Sequence, residues 1–554
     1  MRTLLLAVFL ATLFCAPSSA QELSPADQAA ADAAIKVIRP EAIAAHMRFL
    51  SESLLEGRAP DSLGYQIAAR YVATELEEMG LRPGGLNGTW FQPVPLRKAV
   101  LVQDKSSLTL TNNGKSQTLA AGKDYVFNSD TLRTESSVEA PLVFVGFGVT
   151  APEENYDDYA GVDVHGKIVV MIYGAPSHFS STVRAYYSDS AVKRRIAVAH
   201  GAAGRFQVAL PEIWKRYRWD WLVPQEQAGD MEWLDKDGKP HDTSPEWKVR
   251  ALLNEKVGAS LFEGAPKTAD ETYAAARAGQ PQAFALAWTA NAHTESTHTD
   301  IESPNIVGKL EGSDPSLRDQ YVVYTAHVDH LGICPPIAGD NVCHGAVDNA
   351  SGVSTLLEIA RAYASLPRRP RRSVLFVFVT GEEMGLLGSD YFAHAPTIPL
   401  NKIVANVNID GAPGMLFSMK DAVAMGAEHS SIDKVAESAA RELGYALIPD
   451  PMPEENDFIR SDQYSFVLQG VPAVVMSDGI TSTDPKINGL AVEKKWLATR
   501  YHTPLDNMDQ PLDYESGAKA AGLNFLVGYE LAQQDQPPEW NRGDFFGTKF
   551  ARKH

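Results

Sequence analysis

The stretch SVLFVFVTGEEMG begins at Ser373 as an unbroken apolar run, turns at Gly381, and then presents two adjacent carboxylates, Glu382 and Glu383. Charges at the tip of a buried strand are costly to desolvate unless donors or cations meet them. Other metal-capable residues occupy matching places. YVVYTA runs into His327 and Asp329, KIVANVNID ends on Asp410, Asp348 stands in GAVDNASG, and His502 lies in RYHTPLDN. Two imidazoles and three carboxylates drawn from this set suit zinc, and cobalt or manganese less well. Five protein ligands are too many for one tetrahedral catalytic zinc with an open position. They suit two ions about 3.5–4 Å apart with one carboxylate shared. Taken singly, each residue has a blander explanation: a structural strand-end histidine, acids favouring a helix dipole, a turn and N-cap at VDN. The metal interpretation rests on their occurring together.

The elements that must position these residues alternate. YVVYTA, SVLFVFVTG, KIVANVNID and VPAVVMSDG are predicted strands, and SGVSTLLEIARAYASL and SIDKVAESAARELG are amphipathic helices between them. That order predicts an α/β fold, a twisted and mostly parallel sheet with helices on both faces. Sites in such sheets form at the carboxyl ends of the strands, where three of the candidate residues fall. Upstream, residues 24–80 carry apolar residues at helical spacing, with Gly80 as a stop. APLVFVGFGV and GKIVVMIYG are strand-like and AVKRRIAVAHGAAG helical, so 135–290 is expected to be a separate α+β module. Its tryptophans Trp214, Trp219, Trp221, Trp233 and Trp247 are candidates for a substrate path or for local packing. The basic block PRRPRR, 367–372, is expected to be a solvated loop.

The first residues, MRTLLLAVFLATLFCAPSSAQE, combine Arg2, an apolar run and Ser18-Ser19-Ala20, which predicts a signal peptide cleaved after Ala20. No later run reaches transmembrane length, so a secreted or periplasmic protein without a membrane span is expected. Formal net charge is −19 and becomes −20 once Arg2 leaves, a poor balance for a nucleic-acid partner. An apolar fraction of 44% and a charged fraction of 21% are those of a globular chain, and 554 residues exceed one ordinary core. Cys334 and Cys343 remain after cleavage, and in an exported protein they are expected to form a disulfide.

The motifs AHVDHLG, GAVDNASG, TGEEMGLLGS, NVNIDG, RSDQYSF and RYHTPLDN, as an ordered set, resemble the secreted dizinc aminopeptidases, metallopeptidase family twenty-eight. The subset resembled carries a protease-associated domain insert, through PLVFVGFGVTAPEENYDDYAGVDVHGKIVVM. The resemblance extends to HMRFLSESLLEGRAPDSLG near the amino end. It implies a signal peptide at 1–20, catalytic-domain residues at 21–134 and 291–535, the insert at 135–290 and a tail at 536–554. It implies two zinc ions per chain: His327 and Asp410 on one, Glu383 and His502 on the other, Asp348 bridging. Asp329 would orient His327, Glu382 would be the general base and Tyr501 would assist the oxyanion. The substrate implied is a peptide or protein amino terminus. Asp340 and His344, in the Cys-bounded segment, are expected to be rim residues. Arg460 and Arg500 keep a carboxypeptidase open, the scaffold also supports a glutaminyl cyclase, and a metal-free binding module is the non-enzymatic alternative.

Overall fold

The computed structural model describes residues 21–552 apart from 217, 242 and 243. The predicted leader and its cleavage point lie outside the described residues. Four buried strands form the centre of the main sheet: β1 (Tyr321–His327), β2 (Ser373–Val379), β3 (Ile403–Asn408) and β4 (Ala473–Asp478). They lie side by side and parallel in the order β2-β1-β3-β4. Antiparallel strands flank them, Asp421–Met425 beyond β4 and a long strand, Phe284–Leu310, beyond β2. The strands β1 and β2 are buried along their whole length, which is why they are written as continuous apolar runs.

Alternate residues of these strands feed two cores. Val322, Tyr324, Ala326, Val374, Phe376 and Phe378 join the cluster with helices Pro25–Ile35, Pro40–Leu50, Leu63–Glu78, Gly352–Ser365 and Tyr514–Gln533. Tyr321, Val323, Leu375, Val377 and Val379 join the cluster on the other face with Phe392, Phe466 and Phe546. Helices therefore cover both faces, as the alternation predicts. Phe546 is fully buried within the short helix Phe545–Phe550, so the segment after 535 contributes to this core.

A second sheet has its own core, with strands Ser107–Asn112, Tyr125–Phe127, Glu135–Phe144, Ile168–Ile172, Gly204–Val208 and Val249–Leu253. The strand Phe284–Leu310 belongs to both sheets. Its first half pairs with Ser107–Asn112 and Glu135–Phe144, its second with Phe91–Leu101 and β2. One continuous backbone thus ties the two modules together.

Pro367, Arg368 and Arg369 of the basic block are exposed in a loop, as expected, but its last two arginines are not free in solvent. Arg372 is fully buried, and its guanidinium donates to the carbonyls of Leu531 and Gln534 and to the Gln320 side chain. Arg371 pairs with Asp314 and Asp535. The carbonyls at the end of helix Tyr514–Gln533 have no intrahelical donors, and Arg372 supplies them.

Candidate metal centre

Sheet register brings the strand-end residues together. His327 ends β1 level with Val379 of β2, so Glu382 and Glu383 follow directly beside it. Thr325 is level with Asn408 of β3, which puts Asp410 level with His327. Gly381, with φ +66°, turns the chain at the end of β2, and both glutamates enter the same space.

The remaining carboxylate comes from the entry to helix Gly352–Ser365. Gly345 has φ +57°, and a Cβ there would meet the Asp348 carbonyl oxygen at 2.2 Å. Asp506 accepts the backbone N–H groups of Val347 and Asp348 at 3.0 Å each, through Oδ1 and Oδ2. Asn349, joined to Asp348 by a cis peptide, accepts from the Gly352 and Gly411 amides and so couples this loop to the Asp410 loop. Arg58, fully buried, donates to the carbonyls of Val328, His344, Gly345 and Leu50, clamping the β1 exit against the Asp348 loop.

Asp348 divides its oxygens. Oδ1 lies 3.3 Å from His327 Nε2 and Oδ2 lies 3.2 Å from His502 Nε2. His327 Nε2 is also 3.2 Å from Asp410 Oδ1, and His502 Nε2 is 3.1 Å from Glu383 Oε2. Glu382 stands 3.9 Å from His327 Nε2 and is 9% exposed. The five expected ligand residues and Glu382 thus converge. His502 Nε2 lies within ion-pair distance of two carboxylate oxygens, a crowding of ring nitrogen and oxygens that a cation could share. The donor set, imidazoles with carboxylates, fits zinc.

Asp329 accepts the backbone amides of Glu382 and Glu383 on separate oxygens, at 3.2 and 3.3 Å. The acceptor nearest His327 Nδ1 is the main-chain carbonyl of Asp329 at 3.2 Å, with the carboxylate at 3.9 Å. Tyr501 stacks on the His502 ring at 3.7 Å and receives a hydrogen bond from Arg460. Arg500 instead donates to the Leu505 carbonyl and braces the His502 loop. Asp340 and His344 bind each other at 2.8 Å and belong to none of the metal-capable groups found among the described residues. Cys334 and Cys343 are joined as a disulfide.

His330 was not anticipated. Its Nδ1 is 2.5 Å from Glu383 Oε1, and it groups with Asp348 and Glu383 as a metal-capable set. The only signal was its place as the last residue of HVDH. Asp462, fully buried within RSDQYSF, was also missed; burial pushes its carboxyl up to about 7.

The two adjacent glutamates differ electrostatically. Burial, with Asp410, Asp462 and Glu383 nearby, pushes Glu382 well above the usual carboxylate range against the pull of His327. Glu383 is equally desolvated and faces Asp348, yet His502 and His330 hold it down at about 2. Burial opposes a charge on His502, but Glu383 and Asp348 outweigh it and lift the imidazole to about 10. The cluster as a whole favours cations.

Glu382, Glu383, Tyr501 and His502 line a cleft of about 850 Å³ between the two modules. Trp233 and Trp247 are among its lining residues, as are Arg460 and Tyr501. Trp214 packs edge-on to Trp219 on the helices Pro211–Arg216 and Trp219–Gln227, and the Trp219 indole donates to the Gly122 carbonyl.

Residues 305–526 match the profile of Peptidase family M28. A vacuolar membrane protease of Lachancea thermotolerans is 34% identical over 228 residues, 39% of this chain and 22% of that protein. An aminopeptidase of Mus musculus, NAALADL1, is 36% identical over 124 residues, 21% of this chain and 15% of the relative. The chain thus spans about a fifth or less of these curated relatives' length. Among solved structures, an aminopeptidase from Aneurinibacillus sp. strain AM-1 superposes with a TM-score of 0.52 at 19% identity, covering 92% of this chain and 96% of that one. The fold is shared at that level. No helix among the described residues is long and apolar enough to cross a membrane.

Proposed function

We propose that the protein is an exported, zinc-dependent aminopeptidase that hydrolyses the first peptide bond of peptides or proteins. The observation that carries this reading is the division of Asp348 between His327 and His502. In it, His327 and Asp410 would hold one zinc and Glu383 and His502 a second, with Asp348 available to both. Such a pair, when bound, acidifies a water for attack and polarises the scissile carbonyl.

The rest of the chemistry belongs to side chains. Glu382 takes the proton of the attacking water and returns it to the leaving amine. Its buried position supports that role, because a base for this task needs a carboxyl raised towards neutrality. Tyr501 donates its hydroxyl proton to the developing oxyanion while Arg460 occupies a lone pair of the same oxygen. Asp329 fixes the turn carrying both glutamates through their amides. A carboxylate-rich pocket attracts the ammonium of a free amino terminus, which supports exopeptidase action at that end. The module at 135–290 is assigned as a protease-associated insert that walls the cleft, and the sequence of the leader supports export.

Arg460 in the cleft favours a second reading, a carboxypeptidase that pairs a guanidinium with the substrate's terminal carboxylate. A peptide panel separates the two. The aminopeptidase cleaves a peptide with a free amino terminus, ignores its acetylated form, and tolerates carboxyl-terminal amidation. Cleavage of the acetylated peptide from its carboxyl end would overturn it. Cyclisation of an amino-terminal glutamine without hydrolysis would instead identify a cyclase.

A further inference from the structure

A third metal-capable group stands apart from the paired centre. His241, Asp390 and His394 offer ligand atoms that all lie within 4.8 Å of one another. Asp390 and His394 are four residues apart on helix Leu387–His394, so their side chains share one face. His241 comes from the other module, in the loop after strand Asp230–Trp233. All three line the same cleft as Glu382 and Glu383.

The group is built rather than scattered. The Trp233 indole N–H donates to Asp390 Oδ2 at 2.8 Å, and the His241 ring stacks on Trp233 at 3.9 Å, nearly parallel. The two imidazole rings lie 4.5 Å apart. His241 Nε2 is 4.0 Å from Asp390 Oδ2, and His394 Nδ1 is 3.3 Å from Asp390 Oδ1. Ligand atoms around a tetrahedral zinc lie roughly 3.3 Å apart, given bonds near 2.0–2.1 Å. The His394–Asp390 contact has that spacing; the His241–Asp390 contact, to the other carboxylate oxygen, is longer, and side-chain rotation closes the three ligand atoms, which lie within 4.8 Å of one another, on an ion. The Trp233 donor holds one carboxylate oxygen, the kind of outer contact that orients a metal ligand. The side chains are 22–32% exposed, so an ion reaches them from solvent.

We propose that His241, Asp390 and His394 form a separate transition-metal site at the rim of the cleft. Two imidazoles and one carboxylate select zinc, copper or nickel over calcium or magnesium. His394 Nδ1 now donates to the Asp390 main-chain carbonyl at 2.8 Å and its Nε2 lies 3.0 Å from Gln469 Nε2, so binding turns the ring away from one of these partners. Occupation ties the His241 loop of one module to the helix that follows Glu382 and Glu383 in the other. The assignment is independent of the reaction the paired centre performs, because it is read as a difference between chains that share that centre.

The test counts ions on the full chain. Metal-stripped wild type and the variants His241→Ala, His394→Ala and Asp390→Asn are dialysed against rising zinc, and bound zinc per chain is measured by atomic emission. Asp390→Asn keeps an oxygen for Trp233 and preserves packing, and circular dichroism checks each fold. The expected result is one zinc fewer per chain at saturation in every folded variant, with the tighter binding phase unchanged. Calcium isotherms of wild type and variants should coincide. Zinc isotherms identical to wild type in the folded variants would overturn the site. Loss of a calcium equivalent would overturn its assignment to transition metals.

Discussion

The Arg460 guanidinium donates to the Tyr501 hydroxyl across 3.2 Å, while the Tyr501 ring lies against His502. A phenol whose lone pair is engaged by a cation keeps its own proton available to another acceptor, and Tyr501 lines the cleft. Tyr501→Phe should therefore lower kcat on the order of 10²-fold, the usual cost of one oxyanion donor, and leave KM within a few-fold. Steady-state kinetics on a free-amino peptide reads this directly. A change in KM alone would show that Tyr501 serves binding instead.

Arg460→Ala discriminates further. If the guanidinium acts through Tyr501, its loss should lower kcat by less than Tyr501→Phe does, and the double variant should cost little beyond the phenylalanine alone. If it binds a terminal carboxylate, KM rises instead, and amidated peptides lose the effect. Kinetics on matched acid and amide substrates tells the two apart.

Much of this centre was legible because the four central strands are buried on both faces and are written as apolar runs that stop at His327, Gly381 and Asp410. Register was not legible. Only pairing Thr325 with Asn408 shows that Asp410 stands level with His327. The supports were hidden for a different reason. Arg58 lies far upstream yet holds the carbonyls of Val328, His344 and Gly345, and nothing local marks a buried arginine whose partners are main-chain oxygens. Arg372 misled in the same way, since a basic run reads as solvated until a helix end presents carbonyls to it. His330 needed no long-range information, only attention to the residue beside an accepted motif.

Asp506 makes a stability prediction. Its carboxylate is the partner of the Val347 and Asp348 amides and also accepts from Gln510. Asp506→Ala orphans two buried amides at about 1–3 kcal/mol each and frees the loop that aims Asp348. The thermal midpoint should fall, and zinc should be lost more readily on dialysis. Asp506→Asn keeps one acceptor oxygen and should fall between. An unchanged midpoint in the alanine variant would mean that solvent satisfies the amides.

The final prediction concerns the adjacent pair. Glu382 and Glu383 share a turn, and Asp329 holds both amides. Their surroundings nonetheless divide them: Glu383 faces His330 and His502, whereas Glu382 faces Asp410 and Asp462 as well as His327. A carboxylate beside two imidazoles is suited to hold a cation, and one kept protonatable by burial is suited to move protons. Glu382→Gln keeps size and polarity but cannot accept a proton. It should leave about two zinc ions per chain and cut turnover by at least ~10²–10⁴-fold. Glu383→Ala removes a ligand, so it should lower bound zinc together with activity. Zinc measured after dialysis against a weak chelator, beside kcat for each variant, gives the answer. Zinc lost from Glu382→Gln and kept by Glu383→Ala would exchange the two roles, and a wild type saturating at one ion in these four-ligand-plus-bridge positions would refute the paired centre itself.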